Sequence, residues 1–307
     1  RIAAIDTTLA ESMDGFVDFI AATDMGDKNQ FVANFGTWPK STEVCNLDMQ
    51  VFAPVREGSS GAGDIEYWGQ PVGMVIADTR EHADRAAKLG VTVTYTGTTT
   101  PCVTIEDAIA MNRVESPRRA QRGNVAGAFA AAGASHTLEG EIDIAGQYHF
   151  YMETQTTVAI PMEDGGLRII TSTQSPSSVQ SSVASTVSMP LNKVIVEMKR
   201  AGGGYGGKIS NATPYACAAA FAAHKHRREV RLVSNIKDNM TSTGKRSPWR
   251  FQYRVAFDAS GRVTAVSGTV YTANWRATND FQRCYDIPNW DVSGINCHVE
   301  APPNTWM

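Results

Sequence analysis

Short apolar runs and polar breaks alternate along the first hundred residues. Residues 15–20 (GFVDFI) predict a strand, after an extended opening segment at residues 1–6. Residues 71–77 (PVGMVIA) form an unbroken apolar run, the pattern of a strand buried on both faces. Asp78 or Thr79 can then cap a helix over residues 80–88, and Gly90 can stop it. Residues 91–95 (VTVTY) are β-branched and predict the next strand, so strand, helix and strand build an α/β layer. Residues 96–137 break the pattern with a Thr-rich stretch, a predicted helix at 105–111 and a connection rich in Arg, Gly and Ala. Beyond it, strands are predicted at 135–145, 156–160, 166–173, 194–199 and 230–234, and helices at 175–189 and 215–226. Residues 251–257 alternate, turn at 258–261 and return through 263–271 as a hairpin. The expectation is a mixed α/β (α+β) chain. It has an α/β domain over residues 1–107, a connecting segment over 108–137 and the first part of a second domain over 138–307.

Composition adds mainly exclusions. The 307 residues are 42% hydrophobic and 19% charged, enough for two globular domains with cores of their own. A net charge of -3 supplies no concentrated basic face, which argues against a nucleic-acid partner. The one basic cluster, Arg113, Arg118, Arg119 and Arg122, is interrupted by Glu115 and Pro117 and reads as a solvated loop. Cys45, Cys102, Cys217, Cys284 and Cys297 are odd in number and dispersed. That pattern opposes a disulfide framework, zinc site or iron–sulfur site within the chain, and suits reduced thiols inside a cell. No apolar run approaches the roughly 18 residues of a membrane span. The chain opens without Met or signal peptide and stops abruptly, so a larger parent is expected.

Three stretches could carry chemistry. The first, residues 202–208 (GGGYGGK), lies between a predicted strand and the Ala-rich helix. Without Cβ atoms its backbone can approach a ligand, and its N–H groups can form an anion-binding concavity; a plain tight turn reads equally well. Its spacing fits neither a Walker loop nor a dinucleotide fingerprint. The second, residues 146–155 (GQYHFYMETQ), could be an aromatic core strand with His149 hydrogen-bonded inside it. The third, residues 171–176 (TSTQSP), ends a strand and starts a helix. Its Gln174 is either an ordinary helix-start residue or an amide aimed at a ligand.

In this order, GQYHFYMETQ, STQSP, KRAGGGYGGKIS and DNMTSTGKR resemble the molybdopterin-binding region of the molybdenum hydroxylases, the aldehyde oxidase and xanthine dehydrogenase family. Upstream, YWGQPVGMVIADTREHADRAAKLGVTVTY resembles that family's hammerhead-shaped α/β domain. The resemblance runs from Ile2 to Met307. It implies that Gln174 lies beside molybdenum and donates its amide NH2 to an oxo ligand, a task that adds no charge. It implies that Tyr205 and Gly206, with Gly204, lie against the metal centre through their backbones, and that Gln147 contacts the pterin. Gln174 and Tyr205 would neighbour the metal without ligating it.

The family's xanthine-oxidising members carry Glu where this chain has Ile209. An apolar side chain there cannot bind a polar purine, which shifts the expected substrate towards aldehydes. The GGGYGGKIS run also resembles animal, especially arthropod, aldehyde oxidases. If Ile209 instead faces the core, it has no say in specificity. The family's catalytic Glu base would lie beyond Met307, and residues 271–284 are shorter than the family's usual connection, with a loop missing near Trp275 and Arg276. The implied enzyme hydroxylates aldehydes to acids, or N-heterocycles to oxo products, with water as oxygen source. It is a cytoplasmic homodimer with molybdenum-molybdopterin, whose FAD and 2Fe-2S clusters lie in other domains. Xanthine dehydrogenase/oxidase is the alternative activity. An inactive fragment or degenerate homologue with a structural or binding role is the alternative of another class. The chain alone is expected to be inactive, with a small-molecule substrate, the remaining domains as partners, and neither membrane nor nucleic acid.

Overall fold

The computed structural model describes residues 1–31, 50–53, 65–97, 99–131, 136–273 and 285–302. Cys45, Cys284, the region of Trp275 and Arg276, and the last five residues lie outside them. In chain order the elements begin with β1 (Ile2–Asp6), α1 (Thr8–Glu11), β2 (Phe16–Ala21), α2 (Ala22–Met25), β3 (Gly73–Ala77), α3 (Arg80–Leu89) and β4 (Thr92–Tyr95). There follow α4 (Ile105–Ala110), β5 (Arg118–Arg122), α5 (Val125–Ala130), β6 (His136–Ile144), β7 (Thr156–Pro161), β8 (Leu167–Thr171), α6 (Pro176–Thr186) and β9 (Val194–Glu197). The last are α7 (Ala212–His226), β10 (Val230–Val233), α8 (Ile236–Ser242), β11 (Trp249–Phe257), β12 (Val263–Ala273) and β13 (Asn289–Cys297).

The described residues form two compact units. The first combines those within Arg1–Thr100 and His149–Gly244, the second those within Pro101–Tyr148 and Lys245–Asn304. The first unit holds a four-stranded sheet in the order β10-β7-β8-β9 and two-stranded sheets β1-β4 and β2-β3. α7 packs on β7 and α6. Its buried face is almost all Ala (Ala216, Ala219, Ala220 and Ala223 have no exposed area), so helix and sheet approach closely. The helix bracket falls where the sequence places it: Thr79 Oγ1 accepts the His82 N–H at 3.2 Å, and Gly90 closes α3.

Two expectations for this region are corrected. The α/β layer expected over residues 71–95 is divided, because β3 and β4 belong to different two-stranded sheets among the described residues. β3 is not buried on both faces. Among the described residues it pairs with β2 alone, and of its own residues Met74 alone is buried, a two-stranded ribbon having too few neighbours to cover both sides. Residues 146–155 likewise form no strand, and Phe150 takes the left-handed conformation, φ +47°.

The second unit holds a five-stranded sheet, β5-β13-β12-β11-β6. β12 and β13 run parallel and the other pairs antiparallel. Cys102, Ile105, Ala108, Ala273 and Cys297 make its core. Residues 108–137, expected as a connection, carry β5 and α5. The basic cluster is exposed, as expected, but three of its four arginines lie in a strand and not in a loop. Arg118, Arg119 and Arg122 lie on edge strand β5, held there by its ladder with β13; Arg119 also pairs with Asp291 on β13, Arg122 with Asp286 at 3.3 Å and Arg118 with Glu115 at 3.5 Å. Arg113 pairs with Glu300 at 2.7 Å. Exposed pairs of this kind contribute about 0–1 kcal/mol each and leave no free anion-binding patch among these four.

Candidate functional site

The site lies where two neighbouring strands end. β8 and β9 run parallel, with Ile169 opposite Val196. The polypeptide leaves β8 through Gln174 into α6, and leaves β9 through the glycine turn into α7. Both turns thus sit outside the carboxyl ends of parallel strands and before helix N-termini, where partial positive charge collects.

Gln174 and the glycine turn are directly bonded. The Gln174 main-chain N–H donates to the Lys208 carbonyl at 2.9 Å. Its side-chain Oε1 accepts the N–H of Gly206 at 2.9 Å and of Lys208 at 3.2 Å. Two donors at one amide atom require that atom to be oxygen, so the NH2 group faces away from the turn. Gln174 is exposed, and the NH2 has no acceptor among the described residues.

The turn itself needs its glycines. Gly203 and Gly206 have φ of +96° and +88°, and Tyr205 between them is held at +50°. A left-handed non-glycine residue costs on the order of 1 kcal/mol or more, met here by surrounding bonds such as Gly207 N–H to the Gly204 carbonyl at 2.7 Å. A Cβ on Gly204 would stand 2.6 Å from Gln174 Oε1, and one on Gly207 2.7 Å from Tyr151 Cε1. Tyr205 is 60% exposed.

Below the turn lies a polar layer, buried at Lys208 and Ser172 and part-exposed at Glu153. The Lys208 side chain has no exposed area. Its Nζ donates to Ser172 Oγ at 2.7 Å and to Glu153 Oε2 at 3.2 Å, and stands 4.8 Å from the Tyr151 ring centroid. Glu153 Oε2 also accepts Ser172 Oγ–H at 2.6 Å and Gly202 N–H at 2.8 Å. Burial raises the Glu153 pKa, but the bonds from Ser172, Gly202 and Lys208 outweigh it, and the carboxyl ends below its usual range. Burial lowers the Lys208 pKa, opposed in part by Glu153. Tyr151 closes the layer, its hydroxyl accepting from Gln155 Nε2 and Asn239 Nδ2, each at 2.9 Å. His149 is buried and stacks on Tyr151, ring centroids 6.3 Å apart.

Of the residues singled out in the sequence, Gln174, Gly204, Tyr205 and Gly206 come together here. Ile209 follows, half-buried, its N–H donating to the Gly206 carbonyl at 3.3 Å. Gln147 belongs to the second unit, where its carbonyl accepts the Arg246 N–H at 3.0 Å. Sequence reasoning assigned no role to Glu153, Ser172 and Lys208, although all three stand in or beside the quoted motifs. A Lys followed by a helix reads as surface charge unless a partner carboxylate is known to face it.

Comparison with known proteins places both halves of the chain in one family. Residues 105–307 match the molybdopterin cofactor-binding domain, and residues 1–98 match the a/b hammerhead domain of aldehyde oxidase and xanthine dehydrogenase. A xanthine dehydrogenase of Drosophila subobscura is 41% identical over 257 residues, 80% of this chain and 19% of that protein. A xanthine dehydrogenase/oxidase of Felis catus is 35% identical over 318 residues, 99% of this chain and 22% of that protein. The chain thus spans about a fifth of the length of these relatives. Two solved structures share the fold over 99% of the chain. The aldehyde oxidoreductase of Desulfovibrio desulfuricans does so with a TM-score of 0.82, 19% identity and 34% of its own chain covered. The quinoline 2-oxidoreductase of Pseudomonas putida 86 does so with a TM-score of 0.79, 22% identity and 40% covered. With both family domains matched in order, and the cofactor-binding match alone covering more than half of the residues, the chain belongs to the molybdenum hydroxylase family of aldehyde oxidases and xanthine dehydrogenases.

Proposed function

We propose that this chain forms part of the cofactor site of a molybdenum-dependent hydroxylase that oxidises aldehydes to carboxylic acids with water as the oxygen source. The observation that carries the reading is the Gln174 amide, anchored by its oxygen to the glycine turn with its NH2 turned outward. The donor set fits the cofactor. Among the described residues no group of three His, Cys, Asp or Glu side chains converges. The turn offers uncharged donors and a glycine backbone instead, which suits a metal that arrives with its own organic ligand. Gln174 would donate to an oxygen on the metal, and Gly204, Tyr205 and Gly206 would border the centre through their main chains. Gln147 would meet the pterin. When bound, the molybdenum supplies Lewis acidity and accepts two electrons. The chain's own contribution is to hold a donor in place without adding charge, so that it meets developing negative charge already oriented.

Ile209 supports the choice of aldehydes, since a half-buried apolar residue beside the turn gives a purine no hydrogen-bond partner. A second reading, xanthine oxidation, is favoured by the names of the curated relatives. The same proposal reads residues 1–107 as the hammerhead-like domain, 108–137 as the link and 138–307 as the first part of the cofactor domain. It places FAD, 2Fe-2S clusters and the catalytic base in the remainder of a cytoplasmic, homodimeric enzyme. Elemental analysis of the purified full-length protein tests the core of it: tightly bound molybdenum is expected near one atom per polypeptide, and its absence overturns the reading. Comparing kcat/KM for benzaldehyde and xanthine decides between the substrates.

A further inference from the structure

We propose that Lys208 is a positioning residue: its buried ammonium, held between Glu153 and Ser172, fixes the peptide groups that orient the Gln174 amide. The inference deepens the proposed cofactor site and rests on it. Lys208 is bound to the strand end twice over. Through its main chain it donates to Gln174 Oε1 at 3.2 Å and accepts the Gln174 N–H at 2.9 Å and Thr173 Oγ1 at 3.2 Å. Through its side chain it reaches Ser172 Oγ at 2.7 Å, two residues before Gln174. The turn's other end is tied to the same point, because Glu153 Oε2 takes the Gly202 N–H at 2.8 Å as well as Lys208 Nζ. A wholly buried ammonium cannot leave its two oxygen partners without a large desolvation penalty. The peptide at Lys208 therefore has one available position relative to the end of β8, and so does the atom that Gln174 Oε1 binds. Between Gly202 and Gly207 the turn's one side chain is the largely exposed Tyr205, so little but its backbone bonds holds its shape, and this ion pair adds the constraint.

The test uses the full-length enzyme with Lys208→Met, Gln174→Ala, their combination, and Lys208→Met/Glu153→Gln. Steady-state kinetics, molybdenum content, the unfolding midpoint and hydrogen exchange of the peptide spanning residues 202–211 are measured. Lys208→Met is expected to lower kcat on the order of 10- to 100-fold, as removal of supporting partners around metal sites does, with KM little changed. It should also speed exchange in the turn. In the Gln174→Ala background the same substitution should lower kcat no further, because Lys208 acts through Gln174. Should Lys208→Met fold poorly, the double variant with Glu153→Gln removes both charges. It is expected to recover the midpoint but not kcat or turn protection, a split that a purely structural role does not give. A Lys208→Met enzyme with normal kcat and exchange, equal losses with and without Gln174, or recovery of kcat along with the midpoint overturns the proposal while leaving the cofactor site intact. A Gln174→Ala enzyme with normal kcat and molybdenum content overturns the site and this inference together.

Discussion

Substituting Gly204 by Ala should disable the site with only a modest loss of stability. Gly204 does not adopt a positive φ, so alanine brings no backbone strain. Its Cβ would stand 2.6, 2.8 and 3.0 Å from Oε1, Cδ and Cγ of Gln174, closer than real contacts allow. Gln174 is exposed and can swing outward, which relieves the clash. Doing so breaks the bonds from the Gly206 and Lys208 N–H groups. Two such bonds at a net 0.5–1.5 kcal/mol each give a cost of about 1–3 kcal/mol. The amide then no longer points at the cofactor, and kcat should fall far more than this stability loss alone would suggest. Denaturant unfolding, molybdenum content and steady-state kinetics on the full-length enzyme measure these quantities. The decisive control is Gln174→Ala/Gly204→Ala. All three clashing atoms lie beyond the Gln174 Cβ, so adding the glycine substitution to Gln174→Ala should cost almost nothing more. Additive losses in the double variant, or a Gly204→Ala enzyme with wild-type kcat, would refute the reasoning.

Gly207→Ala should behave oppositely. Its Cβ meets His149 and Tyr151 at 2.7 Å, both buried, and the Tyr151 hydroxyl is pinned by Gln155 and Asn239, so overpacking should cost about 1–3 kcal/mol in unfolding free energy; an unchanged midpoint contradicts this packing. Glu153 has a folded pKa below its unfolded value of 4.5, so its stabilising contribution is complete above that value and is lost as pH falls through the folded one. Glu153→Gln should accordingly flatten the acid limb of stability against pH, and parallel curves for the two proteins would contradict it. Ile209→Glu should raise kcat/KM for xanthine relative to benzaldehyde by burying a carboxylate beside the substrate; an unchanged ratio with a lower unfolding midpoint would assign Ile209 to the core instead.

What the sequence reveals depends on whether the relevant interaction is local. α3 and α7 announce themselves through caps and Ala content, and the β11–β12 hairpin through alternation and a Gly-containing turn, all read from neighbouring residues. β5 (RRAQR) carries no strand signal of its own. It exists because β13, far along the chain, supplies its hydrogen-bond ladder, to which pairs such as Arg119 with Asp291, at a sequence separation of 172, add only a little. β13 is hidden in the sequence for a similar reason: Ser293 and Gly294 interrupt its apolar pattern, and its partners β12 and β5 supply the ladder that makes it a strand. The site divides along the same line. Gln174 and the glycine turn stand out by composition and by their places after two strands, and the parallel pairing of β8 with β9 brings them within hydrogen-bonding distance. The layer beneath is illegible to that logic, because Glu153, Ser172 and Lys208 become a unit only once the chain from Glu153 to Lys208, a sequence separation of 55, is folded. A charged side chain is read as solvent-facing by default, and Lys208 departs from that default because its peptide must lie at one place beside Gln174. Such departures from local preference are where a fold commits stability to function, so a wholly buried lysine beside a glycine turn is itself a pointer to the site.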